Sequence, residues 1–296
     1  MASSLPPGSE VSPLPPLKPQ QFELFRALIL EQCGIRLGDT KTVLVQNRLG
    51  KRLRALGMKT FEEYYAYLKS ATGQKLERVH LHSAITTNQT HFFREAHHFD
   101  IIRERLLPTL IKEAASPRKV RVWSAGCSTG QEVYSLAMML DQELSQHPGW
   151  SFHVQGSDID VNVLAVARGA VYPLEAKEQI PSRYAVKYVE VAAGQLRIKP
   201  SLTRHVRFVE QNLAEVKPSP TKFDLIICRN VIMYLDKAVR SRLAGVFHDS
   251  LSRGGHVILG SSETFQGIAH PFRLTRVDKT ALYHRAAAPE QRRDAI

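Results

Sequence analysis

Residues 120–140 read VRVWSAGCSTGQEVYSLAMML, and this stretch decides the fold. Its apolar start, Val120–Ser124, predicts a β-strand, and the apolar spacing after Gly130 predicts a helix. The turn between them contains two glycines, which let the backbone pass close to a ligand because they have no Cβ. In open α/β sheets, ligands bind beyond the carboxyl ends of the strands. We therefore expect a ligand site over this turn.

Further strands alternate with helices on the carboxyl side of this stretch. This alternation indicates βαβ units and an α/β fold with a mostly parallel, doubly wound sheet. The region from Arg183 to Thr203 breaks the rhythm, because YVEV and QLRIKP flank an Ala-Ala-Gly turn. We interpret it as an inserted hairpin or small antiparallel sheet. The predicted strands after the first are His153–Ser157, Val206–Glu210, Phe223–Cys228 and His256–Gly260.

The amino-terminal side of the chain has a different pattern. Residues 1–19 are rich in proline and predict an unpacked tail, whereas residues 20–85 carry apolar residues at helical spacing and predict a small all-helical domain. We assign residues 86–286 to the α/β domain, with its β insertion at about 183–203, and residues 287–296 to a second tail.

Composition limits the classes of protein that fit. We find no signal-type segment and no apolar run long enough to span a membrane, and we expect a soluble, cytoplasmic protein. The three cysteines lack CxxC spacing, so reduced thiols are expected. The net charge of +12 indicates an acidic partner without identifying it. Half of that excess lies between residues 18 and 85, which hold 12 Lys or Arg against 6 Asp or Glu.

The glycine turn favours one class of cofactor. It is neither GxGxxG nor GxxxxGK[ST], and no lysine follows it, which argues against a nucleoside triphosphate and weakens a dinucleotide. The second predicted strand ends in Ser157-Asp158-Ile159-Asp160, where a carboxylate can accept both ribose hydroxyl protons. A ribose without a pyrophosphate fits S-adenosylmethionine. The alternative is that Asp158 caps the next helix, although Asp160 suits that role equally well.

Five motifs in order make the sequence resemble the chemotaxis protein methyltransferases, the CheR family, from about residue 20 to 285. The resemblance implies a helical domain before a Rossmann-like catalytic domain with a β insertion. It also implies an enzyme that transfers methyl groups from S-adenosylmethionine to chemoreceptor glutamates, leaving S-adenosylhomocysteine. The motifs are TTNQTHFFR at 86–94, WSAGCSTGQEVYSLAM at 123–138, GSDID at 156–160, FVEQNL at 208–213 and FDLIICRNVIMYLD at 223–236.

The resemblance also implies a set of cofactor contacts, each of which has a structural alternative. Asn88 or Thr90 would otherwise cap a helix, Leu213 would belong to the core, and Arg229 would pair with a surface acid. The family pattern Glu-Glu-Pro is replaced by Gln131-Glu132-Val133, which keeps the contacting carboxylate. The implied cofactor residues are Asn88, Thr90, Arg94, Glu132, Asp158, Asn212, Leu213, Arg229 and Asn230.

The implied reaction needs little chemistry from the protein. A glutamate carboxylate is ionised near pH 7, so no general base is required, and catalysis consists mainly of positioning. Arg94 and Tyr234 are the residues that the resemblance offers to orient the carboxylate. Arg94 presents a planar fork. Tyr234 has an alternative as an ordinary half-buried aromatic residue.

A basic helix is the predicted contact for the methylation helices of the receptor. Val45, Leu49, Leu53 and Leu56 form its apolar stripe, and four cations point away from it. A solvated surface is the alternative, although neighbouring like charges repel. We expect a monomer that neither inserts in a membrane nor binds nucleic acid. The four cations are Arg48, Lys51, Arg52 and Arg54.

Two other functions fit parts of the sequence. The charge would suit a nucleic-acid methyltransferase, but CRNVIMY after the fourth strand differs from the Asn-Pro-Pro-Tyr type that gathers a flipped base. A module that only senses S-adenosylmethionine or its product is the other alternative. The histidines at 80, 82, 91, 97 and 98 match no known ligand spacing, and we expect no metal site.

Overall fold

The structure is a computed structural model that describes residues 16–113, 118–278 and 280–286. The chain forms two compact units. Among the described residues, the helical unit takes those up to Glu31 together with Leu37–Ile85, and the α/β unit takes Gln32–Arg36 and those from Thr86 onward. Of the predicted tails 1–19 and 287–296, residues 1–15 and 287–296 lie outside the described residues. Residues 16–19 are packed instead of extended into solvent, because Leu17 is buried, its amide donates to Oε1 of Gln46 at 2.8 Å, and the first helix begins at Pro19.

Within residues 16–85, the helical unit packs five α-helices around an aromatic and aliphatic core. The ring of Phe25 lies 6.1 Å, centroid to centroid, from those of both Phe61 and Tyr64. A capping box begins the third helix, with Thr60 and Glu63 bonding each other's backbone amides. The helices are α1 (Pro19–Cys33), α2 (Thr42–Ala55), α3 (Phe61–Lys69), α4 (Ala71–Leu76) and α5 (Arg78–Ile85).

An ion pair buried in this unit ties α2 to the start of α5. Arg52 donates to both carboxylate oxygens of Glu77, at 2.7 and 3.0 Å, and the Tyr64 hydroxyl donates to the same carboxylate at 3.0 Å. Glu77 is only 2 % exposed. A buried carboxylate must be paired and hydrogen-bonded, so Arg52 has a structural role. In the predicted stripe of α2, Val45, Leu49 and Leu53 are buried, whereas Leu56 follows the helix and is half-buried.

The α/β unit is built on a seven-stranded sheet of order β6-β2-β1-β7-β8-β10-β9. The first five strands in that order are parallel, whereas β10 is antiparallel to both of its neighbours. The predicted α/β class with a doubly wound sheet is confirmed. The strands are β1 (Lys119–Ala125), β2 (Ser151–Asp158), β6 (Val206–Glu210), β7 (Phe223–Cys228), β8 (Leu251–Leu259), β9 (Arg273–Val277) and β10 (Thr280–His284).

Side chains of the central strands alternate between two hydrophobic clusters, one on each face of the sheet. Val122 and Ile227 belong to the cluster that includes α8, whereas Trp123 and Ile226 belong to the cluster that includes α12. The helices are α6 (Ala96–Ile101), which continues through a π-helical stretch at Ile102–Leu106 into α7 (Leu107–Glu113), α8 (Gln131–Leu144), α9 (Val161–Gly169), α10 (Ser182–Tyr188), α11 (Pro200–Thr203) and α12 (Lys237–Ser250).

The β insertion is an antiparallel sheet of order β3-β5-β4. Its hairpin turns at Ala193 and Gly194, which both have positive φ, as expected for a two-residue hairpin loop. The sheet extends beyond the predicted 183–203, because β3 joins it from the amino-terminal side. Its strands are β3 (Val171–Pro173), β4 (Val189–Ala192) and β5 (Gln195–Ile198). Within the described part of the chain, no helix is long and apolar enough to cross a membrane.

Candidate functional site

The glycine turn after β1 is fixed by its own geometry and by the end of β2. Gly126 and Gly130 have φ of 82° and 90°, a region that favours glycine. A Cβ on Gly126 would lie 2.5 Å from Cγ2 of Val231, so the turn also packs too closely for a larger residue. The amides of Gly126 and Cys127 donate to the carbonyl of Ser157 at 2.8 and 2.9 Å. The turn is therefore held against β2.

Asp158, the last residue of β2, completes this attachment. Its Oδ2 accepts from the amide of Ser128 at 2.8 Å, and its Oδ1 accepts from the amide of Asp160 at 3.0 Å. Burial raises the pKa of this carboxyl, while the backbone hydrogen bonds from Asp160 and Ser128 act in the opposite direction. Each oxygen has a second lone pair, so the carboxylate still has acceptor capacity for a ligand.

Asp160 performs the capping role that was the alternative for Asp158. Its Oδ1 accepts from the amide of Asn162 at 3.0 Å and caps α9. Its Oδ2 accepts from Nδ2 of Asn88 at 2.9 Å. The carbonyl of Asn88 in turn accepts from the Ser128 hydroxyl at 2.9 Å. The polar loop before α6 is thus joined to the ends of β1 and β2.

Arg229 follows β7 and lies at the centre of a second polar network. Its Nε donates to Oε2 of Glu132 at 2.7 Å, and its Nη1 donates to the carbonyl of Arg94 at 2.6 Å. The Ser124 hydroxyl donates to the other oxygen of Glu132 at 2.7 Å. The Arg229 side chain is only 3 % exposed. Its guanidinium therefore acts by holding Glu132 and the loop before α6, instead of facing solvent.

Glu95 adds a second carboxylate to this network. Its Oε2 lies 3.2 Å from Nδ1 of His98 and 3.5 Å from Nη1 of Arg229. Burial alone would raise the pKa of Glu95, but the hydrogen bond with His98 and the charge of Arg229 lower it to about 2. Glu95 and Phe93 have φ of 55° and 51°, a conformation that costs free energy in a non-glycine residue. The network offsets this cost by fixing the strained loop.

The loop after β7 is held by a residue that the sequence analysis missed. Glu263 is 7 % exposed and accepts backbone hydrogen bonds from Asn230, Val231 and Met233 at 2.5, 2.9 and 3.1 Å. It also accepts from the amide of Gly260 at 2.9 Å. The available signal was its place in GSSET, just after a predicted strand and so at the ligand-binding edge of the sheet.

The remaining predicted cofactor residues lie on the same loops. Asn212 accepts from the amide of Ala214 at 3.0 Å and donates to the carbonyl of Gln32 at 2.7 Å, so its side chain shapes the turn after β6. Leu213 is 7 % exposed and packs in the core, as its alternative proposed. Thr90 is half-buried, and Asn230 has a φ of 59°.

The two predicted orienting residues differ in exposure. Nη1 of Arg94 donates to the carbonyl of Gln89 at 3.0 Å, which closes the loop, and the residue is half-buried. Tyr234 is 46 % exposed, a value that also fits its alternative as an ordinary half-buried aromatic residue. Its carbonyl accepts from the amide of Arg36 at 2.8 Å.

The four predicted cations of α2 belong to the helical unit and have unequal surroundings. Arg48 donates to the carbonyls of Ala84 and Ile85 at 3.2 and 2.8 Å. Arg52 is committed to Glu77. Lys51 and Arg54 are exposed. Only these last two present their charge fully to solvent.

The polar groups at the carboxyl edge of the sheet fit S-adenosylmethionine better than a phosphorylated nucleotide. Asp158 and Glu132 supply acceptors for hydroxyl or ammonium groups, and their negative charge would oppose a pyrophosphate. Within the described ranges, no group of three or more His, Cys, Asp or Glu residues is placed to hold a metal ion.

Comparison with known proteins gives matches in both units. Residues 20–86 match the CheR methyltransferase all-alpha domain, and residues 88–281 match the CheR methyltransferase SAM binding domain. The predicted family resemblance and the predicted cofactor, S-adenosylmethionine, are confirmed by these matches.

Curated relatives match along most of their length. A chemotaxis protein methyltransferase of Salmonella typhimurium is 37% identical over 284 residues, 93% of this chain and 96% of the relative. One from Borreliella burgdorferi is 36% identical over 246 residues, 81% of this chain and 86% of the relative. A probable chemotaxis protein methyltransferase of Rhizobium etli is 37% identical and covers 82% of this chain and 91% of the relative.

The low pKa of Glu95 predicts a pH-dependent contribution to stability. Because its folded pKa lies below the ordinary value of 4.5, its stabilisation is present above about pH 4.5 and is lost as the pH falls toward 2. After allowance for solvent screening, Glu95→Gln should lower the free energy of unfolding by about 2 kcal/mol at pH 7. Both tryptophans, Trp123 and Trp150, lie in the α/β unit, so denaturant titrations followed by tryptophan fluorescence report its unfolding.

The matched control is Glu104→Gln, which removes an exposed carboxylate paired with Arg103 and should cost less than about 0.5 kcal/mol. The deficit of Glu95→Gln should stay constant from pH 7 to 5 and shrink below pH 4.5. A deficit that does not change with pH would show that the charge of Glu95 contributes nothing.

Proposed function

The chain belongs to the family of CheR methyltransferases, and we propose that it methylates glutamate side chains of chemoreceptors in the cytoplasm, as a monomer. The products are glutamate methyl esters and S-adenosylhomocysteine. One observation carries the proposal: motif residues far apart in sequence meet at one edge of the sheet as a bonded network. Asp158 holds Ser128 across 30 positions, and Arg229 holds Glu132 across 97. Relatives named as chemotaxis protein methyltransferases, which this chain matches along most of their length, support it.

We assign the cofactor contacts to the loops of this network. S-adenosylmethionine, when bound, supplies a methyl group activated by a sulfonium. The carboxylate of Asp158 offers its remaining lone pairs to the ribose hydroxyls, and Glu132 offers negative charge to the amino group. Arg229 is buried and supports Glu132. Asn88, Thr90, Asn212, Leu213 and Asn230 contribute through the loops that they shape.

We assign the orientation of the acceptor carboxylate to Arg94 and Tyr234. An ionised glutamate is already nucleophilic, so the protein must hold it in line and exclude other geometries. Arg94 offers guanidinium donors, and Tyr234, which is 46 % exposed, offers a hydroxyl. Neither residue needs to accept a proton in this scheme.

The function is tested by methyl labelling. The purified protein is incubated with S-adenosylmethionine labelled in its methyl group. Parallel samples contain one acceptor each, which is membranes with the host's chemoreceptors, transfer RNA or DNA. We expect label on receptor only, and we expect mild alkali to release it as methanol, because glutamate methyl esters hydrolyse readily. Alkali-stable label on nucleic acid would favour the nucleic-acid methyltransferase. Cofactor binding without any transfer would favour the sensing module.

The assignment of Asp158 to the ribose predicts a loss of cofactor affinity. Asp158→Ala removes a charged acceptor and also releases the amide of Ser128 in the glycine turn. We expect S-adenosylhomocysteine to bind about 30-fold more weakly by calorimetry, which corresponds to about 2 kcal/mol. Asp224→Asn is the control, because Asp224 also accepts a backbone amide, from Arg121, but lies at the amino end of β7. Equal affinities of the two folded variants would remove Asp158 from the cofactor site.

The exposed cations of α2 predict salt-dependent recognition of an acidic receptor surface. We expect Lys51→Ala with Arg54→Ala to raise the apparent KM for receptor about three- to tenfold at low salt, with little change in cofactor affinity. Arg52 is left intact, because its removal would leave Glu77 buried without its cation.

The control for this experiment is Lys59→Ala with Lys75→Ala, which removes the same charge from exposed positions outside α2. The wild-type rate at low receptor concentration should fall as salt rises, and that of the α2 variant should fall less steeply. If both double variants show the same KM for receptor and the same salt dependence, the receptor is attracted by the net charge of the protein and not by this helix.

A further inference from the structure

The loop after β8, Gly260–Phe265, has no role in the assignments above, yet it contains an unusually well-bonded buried carboxylate. Glu263 accepts four backbone hydrogen bonds, three of them from residues that follow β7. Buried carboxylates are costly unless charge-assisted hydrogen bonds satisfy them. This carboxylate is therefore the fixed point around which the loop after β7 folds.

The residues that Glu263 holds include Asn230 of the proposed site and adjoin a second site residue, Tyr234. Asn230 has left-handed backbone, with φ of 59°, and its amide donates to Glu263. Tyr234 follows Met233, whose amide donates to the same carboxylate. Val231, also held, packs against Gly126 of the glycine turn, where a Cβ would lie 2.5 Å from it. The position of Glu263 thus sets the position of the loop after β7, both near Tyr234 and where Val231 packs against the glycine turn.

The same loop also reaches the Arg229 network. The amide of Ser261 donates to Oε1 of Glu95 at 3.4 Å, and the Ser261 hydroxyl lies 3.3 Å from Nε2 of His97. The loop after β8 therefore contacts the loop before α6 as well as the loop after β7. These contacts join it to the residues that are proposed to bind the cofactor and the acceptor.

We infer that Glu263 is a positioning residue for methyl transfer: through the amides of Asn230, Val231 and Met233, it fixes the loop that presents Asn230 and Tyr234. This inference rests on the proposed function. Glutamine is nearly the same size, but its NH₂ group would face amide donors instead of accepting from them. The four amides are shared two to each carboxylate oxygen, so Glu263→Gln breaks the two hydrogen bonds at one oxygen with little change in volume.

The test compares Glu263→Gln with the Asp224→Asn control in receptor methylation, S-adenosylhomocysteine binding and backbone hydrogen exchange. Asn230 shares the released loop, so for Glu263→Gln we expect cofactor affinity to fall by up to about fivefold. We expect kcat to fall at least 30-fold, because Tyr234 is displaced as well, whereas Asp158 and Glu132 lie on other loops and keep most of the cofactor affinity. Faster exchange should be confined to peptides that cover residues 229–235. Asp224→Asn should keep kcat within threefold of wild type.

Three results would overturn the inference. They are an unchanged kcat in folded Glu263→Gln, equal losses of kcat in both variants, or faster exchange spread over the whole sheet, which would indicate a general structural role. If Glu263→Gln does not fold, Gly260→Ala is judged by the same criteria. Its Cβ would lie 2.6 Å from Oε2 of Glu263 and would displace the carboxylate while keeping its charge.

The two proposals can fail separately. If the wild-type protein labels no receptor, the proposed function fails. The exchange and binding measurements need no receptor, and they still decide whether Glu263 orders the loop after β7. If the wild-type protein labels receptor and Glu263→Gln does so equally well, only the inference about Glu263 fails.

Discussion

The buried ion pair between Arg229 and Glu132 is the interaction on which the site depends. A guanidinium that is 3 % exposed has lost its hydration, and it is tolerated only because Glu132 and backbone and side-chain acceptors around it replace the lost water. Its partners come from the first turn of α8 and from the loop before α6, while Arg229 itself follows β7. One charge thus joins a helix and two loops that come together only in the folded chain.

Two further carboxylates at this edge of the sheet follow the same rule. Asp158 accepts a hydrogen bond from an amide of the glycine turn, and Glu263 accepts hydrogen bonds from amides of the loop after β7. Loops that run close to a ligand adopt backbone conformations that leave amides without partners in the sheet, and here side-chain carboxylates provide those partners. Burial raises the pKa of both carboxyls, and the amide hydrogen bonds oppose that rise.

Charge in the helical unit divides into structural and exposed parts. Arg52 is bonded to Glu77, and Arg48 donates to carbonyls of the last turn of α5. The guanidinium groups of both residues are therefore hydrogen-bonded within the protein. Lys51 and Arg54 remain exposed. A net charge of +12 describes the whole chain, whereas attraction of an acidic partner depends on those cations that are not already paired.

The sequence by itself determined the α/β class, the glycine turn and the family, because these depend on local patterns. The bounds of β6 and β7 match the predicted Val206–Glu210 and Phe223–Cys228, since alternation and turn residues act over a few positions. Prediction missed β3, whose partner β5 follows α10 in the chain, and it also missed β9 and β10, which pair with each other as a hairpin at the margin of the sheet. Only the tertiary structure decided that Asp160 caps α9, that Arg52 pairs with Glu77 and that Glu263 holds the loop after β7. Those partners lie 25 positions apart for Arg52 and 32 for Val231. A charged side chain selects its partner by distance and burial in the folded protein, and local sequence patterns carry neither quantity.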